Sequence, residues 1–163
     1  MGPIKVAYLI EQCWHRVPGG TAVTAVNLAE EMSRLEGIEL VGIAANHKKN
    51  SKKSIPESME IVNSKFPRQI LYEMWNRLNI PKVETLVKSI DLVHASGGAV
   101  PSTDLPLVAT IHDLSWREQN EWFPSRGKRF AEIWLDKARE ARRIICPSQA
   151  TFKDLVKQGS MKK

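Results

Sequence analysis

The sequence predicts an α/β domain built on a Rossmann-like, doubly wound parallel sheet. Three observations carry that prediction. Six short apolar runs recur along the chain, most of them continuous rather than alternating, as strands covered on both faces require. Amphipathic helical patterns separate the runs, and strands that alternate with helices pair in parallel. Parallel crossovers are right-handed, which distributes the helices over both faces of the sheet.

The predicted strands are residues 4–10, 39–45, 59–63, 91–95, 107–111 and 143–147. A helix over 21–35 places Ala22, Ala25, Val26, Ala29, Met32 and Leu35 on one stripe. A second over 69–78 groups Ile70, Leu71, Met74, Trp75 and Leu78. Pro81 reads as a first-turn proline, followed by Val83, Leu86, Val87 and Ile90 at helical spacing. Residues 128–142 present Phe130, Ile133, Trp134, Ala138 and Ala141, and Ser148 reads as the N-cap of a last helix through Val156.

The chain has 163 residues, 42% of them apolar, which suits one domain with a real core. No apolar run approaches the ~20 residues of a membrane-spanning helix. Met1-Gly2-Pro3-Ile4-Lys5 lacks a signal-peptide pattern. The expected location is the cytoplasm, with peripheral contact to the inner membrane face as a further candidate. That candidate rests on residues 66–80, where Phe66, Tyr72 and Trp75 mix with Arg68 and Arg77; the same stripe also reads as core. Cys13 and Cys146 lie far apart and outside any metal-ligand spacing, so two free thiols are expected and no metal. The net charge of +6 favours anionic partners without choosing among them. Part of it sits in a run from His47 to Lys53 that reads as a solvated loop. No helix-turn-helix, zinc-finger or ribonucleoprotein signature supports nucleic-acid binding.

Four places hold candidate chemistry. Pro18-Gly19-Gly20-Thr21 lies between the first strand and first helix, where glycines allow close approach and free amides favour an anion. It matches neither Gly-x-Gly-x-x-Gly nor a Walker A loop. The loop before it carries Gln12, Trp14, His15 and Arg16, a set suited to a polar ligand. His112-Asp113 ends the fifth strand, on the edge where open α/β sheets bind ligands; Asp113 either orients His112 or holds the turn after it. His94-Ala95-Ser96-Gly97-Gly98 ends the fourth strand, with His94 read as a core residue and Gly97 as a candidate for the cleft. Ser148 caps its helix and borders the cleft; no Gly-x-Ser-x-Gly surrounds it, which argues against a hydrolase nucleophile.

Taken in order, these segments resemble the N-terminal, acceptor-side domain of a family 4 retaining glycosyltransferase with the GT-B fold. The match rests on Arg16-Val17-Pro18-Gly19-Gly20-Thr21, on Asp91-Leu92-Val93-His94, and on Thr110-Ile111-His112-Asp113-Leu114-Ser115 followed by Glu121-Trp122-Phe123-Pro124. It rests also on the segment from Arg143 through Cys146-Pro147-Ser148 to Leu155. The resemblance implies one half of a two-domain enzyme, acting on a UDP- or GDP-sugar and a glycan, glycolipid or small-molecule acceptor, with no metal and no cofactor. It implies that Gly19 and Gly20 face the donor diphosphate and acceptor, that His112 faces the reacting sugar, and that Ser148 lies near the cleft edge; by position, Thr21 at the helix start joins the glycines, and Arg16, Gly97 and Asp113 are further candidates for the cleft. The donor-binding half, with its Glu-x7-Glu pair, is expected outside this sequence, so residues 1–158 form the N-terminal domain and 159–163 a tail or expression remnant. The competing readings are a non-catalytic Rossmann-like module and one subunit of a two-chain transferase. The expected outcome is that this 163-residue chain alone turns over no nucleotide sugar. Release of free nucleoside diphosphate, followed by chromatography, checks it; robust turnover overturns the expectation.

Overall fold

A computed structural model describes residues 2–118 and 124–157. Glu121-Trp122-Phe123 and the tail 159–163 lie outside the described residues. The six strands are β1 (Ile4–Leu9), β2 (Ile38–Ala44), β3 (Glu60–Asn63), β4 (Leu92–Ala95), β5 (Leu107–Thr110) and β6 (Arg143–Ile145). All pair in parallel, in the order β3-β2-β1-β4-β5-β6. The order reverses between β1 and β4. At such a switch point the loops leaving two adjacent strands diverge to opposite faces and open a crevice.

The strands read as continuous apolar runs because each side of the sheet has its own core. Ala7 and Leu9 of β1 pack on one side with Val41 and Ile43 of β2 and Trp75, Leu135 and Leu155 of the helices. Val6, Tyr8 and Ile10 point to the other side, against Ala22, Ala25 and Ala29. The latter three belong to α1 (Gly19–Ser33), whose small residues let the helix lie close to the sheet. The opposite face is covered by α2 (Arg68–Leu78), α5 (Ser125–Ala138) and α6 (Gln149–Lys157). Two short helices also occur among the described residues: α3 (Val83–Leu86) and α4 (Ser115–Glu118).

Two local readings need correction. Pro81 does not lie in a first helical turn: α3 begins at Val83, and the Pro81 carbonyl instead accepts a hydrogen bond from Trp75 Nε1 at 2.9 Å. The helix after it is one turn rather than two, because Val87 is extended and Ser89 takes a left-handed conformation (φ 58°). Val87 and Ile90 reach the core all the same. A periodic apolar pattern cannot separate a helix from a curved segment that buries the same residues.

Residues 66–80 turn their larger aromatic rings inward: Trp75 is fully buried and Tyr72 nearly so, leaving Phe66, Ile70, Leu78 and Ile80 as the exposed large apolar side chains. No helix among the described residues is long and apolar enough to cross a membrane. Both cysteines are free thiols, Cys13 buried and Cys146 half-buried.

The basic loop is solvated at its lysines but anchored at its root. Glu11 is completely buried and accepts a bond from the Ala45 amide at 2.7 Å, with His47 Nε2 at 2.9 Å. His47 stacks on Trp14 at 4.8 Å between centroids, Trp14 Nε1 donates to the Lys49 carbonyl, and the Lys52 amide donates to the Cys13 carbonyl. The loop after β2 and the loop after β1 therefore hold one another in place.

His94 is a core residue. It is 3% exposed, packs edge-on against Tyr8 at 5.0 Å, and shares a 2.9 Å hydrogen bond between Nε2 and Thr110 Oγ1. Burial pushes its pKa down to about 4 from the ordinary 6.5. The unfolded chain therefore takes up this proton at a higher pH than the folded chain does. Stability is complete above pH 6.5 and is lost as the pH falls towards 4, by up to about 1.4 kcal/mol for each tenfold rise in proton concentration. His15, depressed to about 4 by burial, then by Arg68 and His47, adds a smaller share in the same window. Urea unfolding at pH 7, 5.5 and 4 is expected to show this decline, and the His94→Gln variant a flatter one. An equally steep profile in the variant refutes the assignment.

Candidate active site

The crevice at the switch point is assembled from the loops after β1, β4 and β5. The chain leaves β1 into a 3-10 turn over Glu11–Trp14 that drives Gln12 into the protein, where it is 1% exposed. Gln12 Nε2 donates to the Gly97 carbonyl at 2.8 Å and to Ser96 Oγ at 3.1 Å. The Ser96 hydroxyl in turn donates to the Leu9 carbonyl. These direct bonds tie the end of β1 to the end of β4.

His112 joins the same knot from β5. Its Nε2 lies 2.8 Å from the Ser96 carbonyl, an acceptor only, so Nε2 carries the proton and donates. In the neutral ring Nδ1 is then left as an acceptor. The His112 backbone is also held: its carbonyl accepts from Thr151 Oγ1 at 2.7 Å. A histidine fixed at ring and backbone presents one defined edge to the crevice.

Gly97 is the spacer that makes this possible. Its φ of +138° is open to glycine and strained for other residues. A Cβ there would sit 3.1 Å from two atoms of the His112 ring and 3.1 Å from Thr21 Cγ2. The imidazole and the start of α1 approach each other across a gap that only a hydrogen atom fills.

At the start of α1, Gly19 takes φ +60°, and no side chain caps the helix. A Cβ at Gly19 or Gly20 meets no atom within 4 Å. Gly19 serves backbone conformation, and both glycines leave open space before the helix's positive end. Around it lies a cavity of about 440 Å³ whose walls include Gly19, Thr21, His112, Trp116 and Trp134. Several of its polar atoms are buried without a partner: Gln12 Oε1, His15 Nε2 and the indole Nε1 of Trp116 and Trp134. Acceptors and donors thus both line the same space.

Of the sequence candidates, Gly19, Thr21, His112 and Asp113 line this cavity, with Gly97 behind it. Asp113 does not orient His112. Its carboxylate accepts from the Ser115 amide at 2.9 Å and from the Ser115 hydroxyl, so it holds the turn into α4. Ser148 borders a separate depression near Cys146 and Phe152. Its hydroxyl accepts from the Thr151 amide at 3.1 Å, which makes it the cap of α6. It reaches the site only through Thr151 and the His112 backbone. Arg16 is exposed and does not line the cavity, while its carbonyl receives Lys52 Nζ at 2.6 Å. Thr151, Trp134 and Phe130 are site residues that the sequence did not single out. They stand in helical stripes that look like ordinary core, and no local pattern marks them. No cluster of three or more histidine, cysteine or acidic side chains suited to a metal occurs among the described residues.

Replacing Gly97 by Val is expected to destabilise the domain by about 1–3 kcal/mol through backbone strain and to displace the imidazole of His112. Thermal melting and the imidazole 15N spectrum check this. Gly20→Ala, whose Cβ meets nothing, leaves the His112 resonances in place. An unshifted His112 signal in Gly97→Val refutes the spacer role.

No curated protein matches the chain. The sequence model of one protein family does match it, over residues 18–163, a span that opens at Pro18 and takes in Gly19, Thr21, Gly97 and His112. The six-stranded parallel sheet with helices on both faces agrees with one half of a GT-B fold. This chain belongs to Glycosyltransferase Family 4.

Proposed function

We propose that this domain is the acceptor-side half of a retaining transferase that uses a nucleotide sugar. The observation that carries the reading is the meeting, across Gly97, of the open N-terminus of α1 with an imidazole fixed by the Ser96 carbonyl. The first suits a departing diphosphate, and the second suits a sugar hydroxyl.

Charge dictates the rest. Cleaving the sugar–phosphate bond builds positive charge on the anomeric carbon and negative charge on the leaving diphosphate. The amides at Gly19, Gly20 and Thr21, with the helix dipole behind them, stabilise the leaving group together with cations of a second domain. That arrangement needs no metal. UDP- and GDP-sugars both fit it. His112, with Nδ1 free to accept, binds a hydroxyl of the transferred sugar and sets its position in the transition state. The acceptor hydroxyl enters on the face that the diphosphate leaves, gives up its proton to the departing phosphate oxygen as its oxygen bonds to the anomeric carbon, and the configuration is retained.

In a transferase that contains this domain, His112→Ala is expected to lower kcat/KM on the order of 100-fold or more, with the melting temperature little changed. Steady-state kinetics checks it. Wild-type kcat/KM in a folded variant sinks the role.

A further inference from the structure

A second cavity, about 740 Å³, lies between α2 and α5. Three residues at four-residue spacing line it from one side: Arg68, Tyr72 and Asn76. That spacing puts them on one helix face. Tyr72 is 7% exposed, and its hydroxyl has no hydrogen-bond partner. Asn76 has neither an acceptor for Nδ2 nor a donor for Oδ1, although both atoms are buried. Leaving such groups unpaired is costly, and they cluster along one groove rather than scatter through the core. Burial, with the Glu11 carboxylate second, holds the Tyr72 pKa well above its ordinary value, so the phenol remains a donor.

The groove also carries unbalanced charge. Arg68 and, across from it, Arg129 make no hydrogen bond or ion pair with described residues. Among the described lining residues the one carboxylate, Glu73, is taken by Arg77 at 2.8 Å. Three arginines therefore face one glutamate among the described residues of the groove. Phe130 and Ile133 supply an apolar wall, and the Phe130 ring stacks on Tyr72 at 5.7 Å. Cations, unpaired donors and an apolar face together match a polyol that bears a phosphate, with a guanidinium binding two phosphate oxygens at once.

The groove adjoins the crevice beside His112. Phe130 lines both cavities. A Cβ at Gly98 would lie 3.8 Å from the Tyr72 hydroxyl and 4.0 Å from His15 Cε1, so this glycine stands close to residues of both.

We propose that the α2–α5 groove binds a phosphorylated, polyhydroxylated acceptor, with Arg68 on its phosphate and Tyr72 and Asn76 on its hydroxyls. This rests on the transferase reading, for it names the acceptor class of the same site. The phosphate belongs either to a soluble sugar phosphate or to a phospholipid headgroup.

Calorimetric titration of the chain with glucose 6-phosphate, glucose and inorganic phosphate tests the proposal, alongside flotation with phosphatidylglycerol and phosphatidylcholine vesicles. Glucose 6-phosphate is expected to bind and glucose not to. Arg68→Ala is expected to weaken glucose 6-phosphate about 10-fold or more, and Tyr72→Phe to weaken it while leaving inorganic phosphate unchanged. Binding confined to phosphatidylglycerol vesicles and lost in Arg68→Ala supports the lipid source. Equal affinity for glucose and glucose 6-phosphate, insensitivity to Arg68→Ala in a variant that melts normally, or binding of neither probe overturns the site. Calorimetry on Arg68→Ala reads the groove, and the kcat/KM of a transferase carrying His112→Ala reads the crevice. An Arg68-dependent site in a transferase indifferent to His112→Ala would therefore overturn the catalytic reading alone.

Discussion

Ser96 holds the functional edge of this domain together. Its hydroxyl closes onto the Leu9 carbonyl and receives Gln12, and its own carbonyl receives His112. One residue of 2% exposure thus ties the loops of three adjacent strands at the point where the strand order reverses. Loops leaving a switch point diverge, and nothing in the sheet itself keeps them in register. A small hydroxyl residue followed by a glycine solves this. The hydroxyl binds two partners within the backbone layer, and the glycine lets the imidazole and the α1 start close over it. A larger residue at either place would separate the groups that the crevice brings together.

The polar groups of the domain divide accordingly. Those that hold the framework have partners within it: Glu11 Oε2 on Ala45 and His47, Asp113 on Ser115, Ser148 on Thr151, Tyr8 on the Ala25 carbonyl. The buried groups without partners lie mostly along the two cavities. Asp113 and His112 are adjacent in sequence and both line the crevice, yet only His112 keeps a nitrogen free for a ligand. Partner satisfaction separates scaffold from site more sharply than residue type does.

The sheet was legible because it is buried on both faces. Continuous apolar runs at residues 4–10 and 107–111 admit few other structures, and the alternating helices fix their parallel pairing. The start of α1 was legible for a similar reason, since two consecutive glycines after an apolar strand have few structural uses. The remainder depends on partners remote in sequence. The bond from Gln12 to Gly97 spans 85 residues, and that from His112 to Thr151 spans 39. Nothing near Asp113 says whether its carboxylate turns back to His112 or forward to Ser115. Likewise Arg68, Tyr72 and Asn76 look like part of an amphipathic surface until α5 closes the other side and leaves the phenol buried. Periodicity reports which face is covered, but not what covers it.

The nearness of the two cavities bears on why the buried groups stay unpaired. A domain that only needed stability would place apolar side chains at Tyr72 and Asn76, because an unpaired buried polar group typically costs about 1–3 kcal/mol. Here such groups line the α2–α5 groove and the crevice beside His112, with Gly98 close to residues of both. Phe130 lines both cavities. A single ligand that spans the two would satisfy donors at both ends at once, so its affinity and its orientation would arise from the same contacts. Orientation is what a transfer reaction requires of its acceptor half: one hydroxyl, held in line with one carbon, with water kept out of the space between. The cost to stability and the capacity to position a reactant are, in this reading, the same set of atoms.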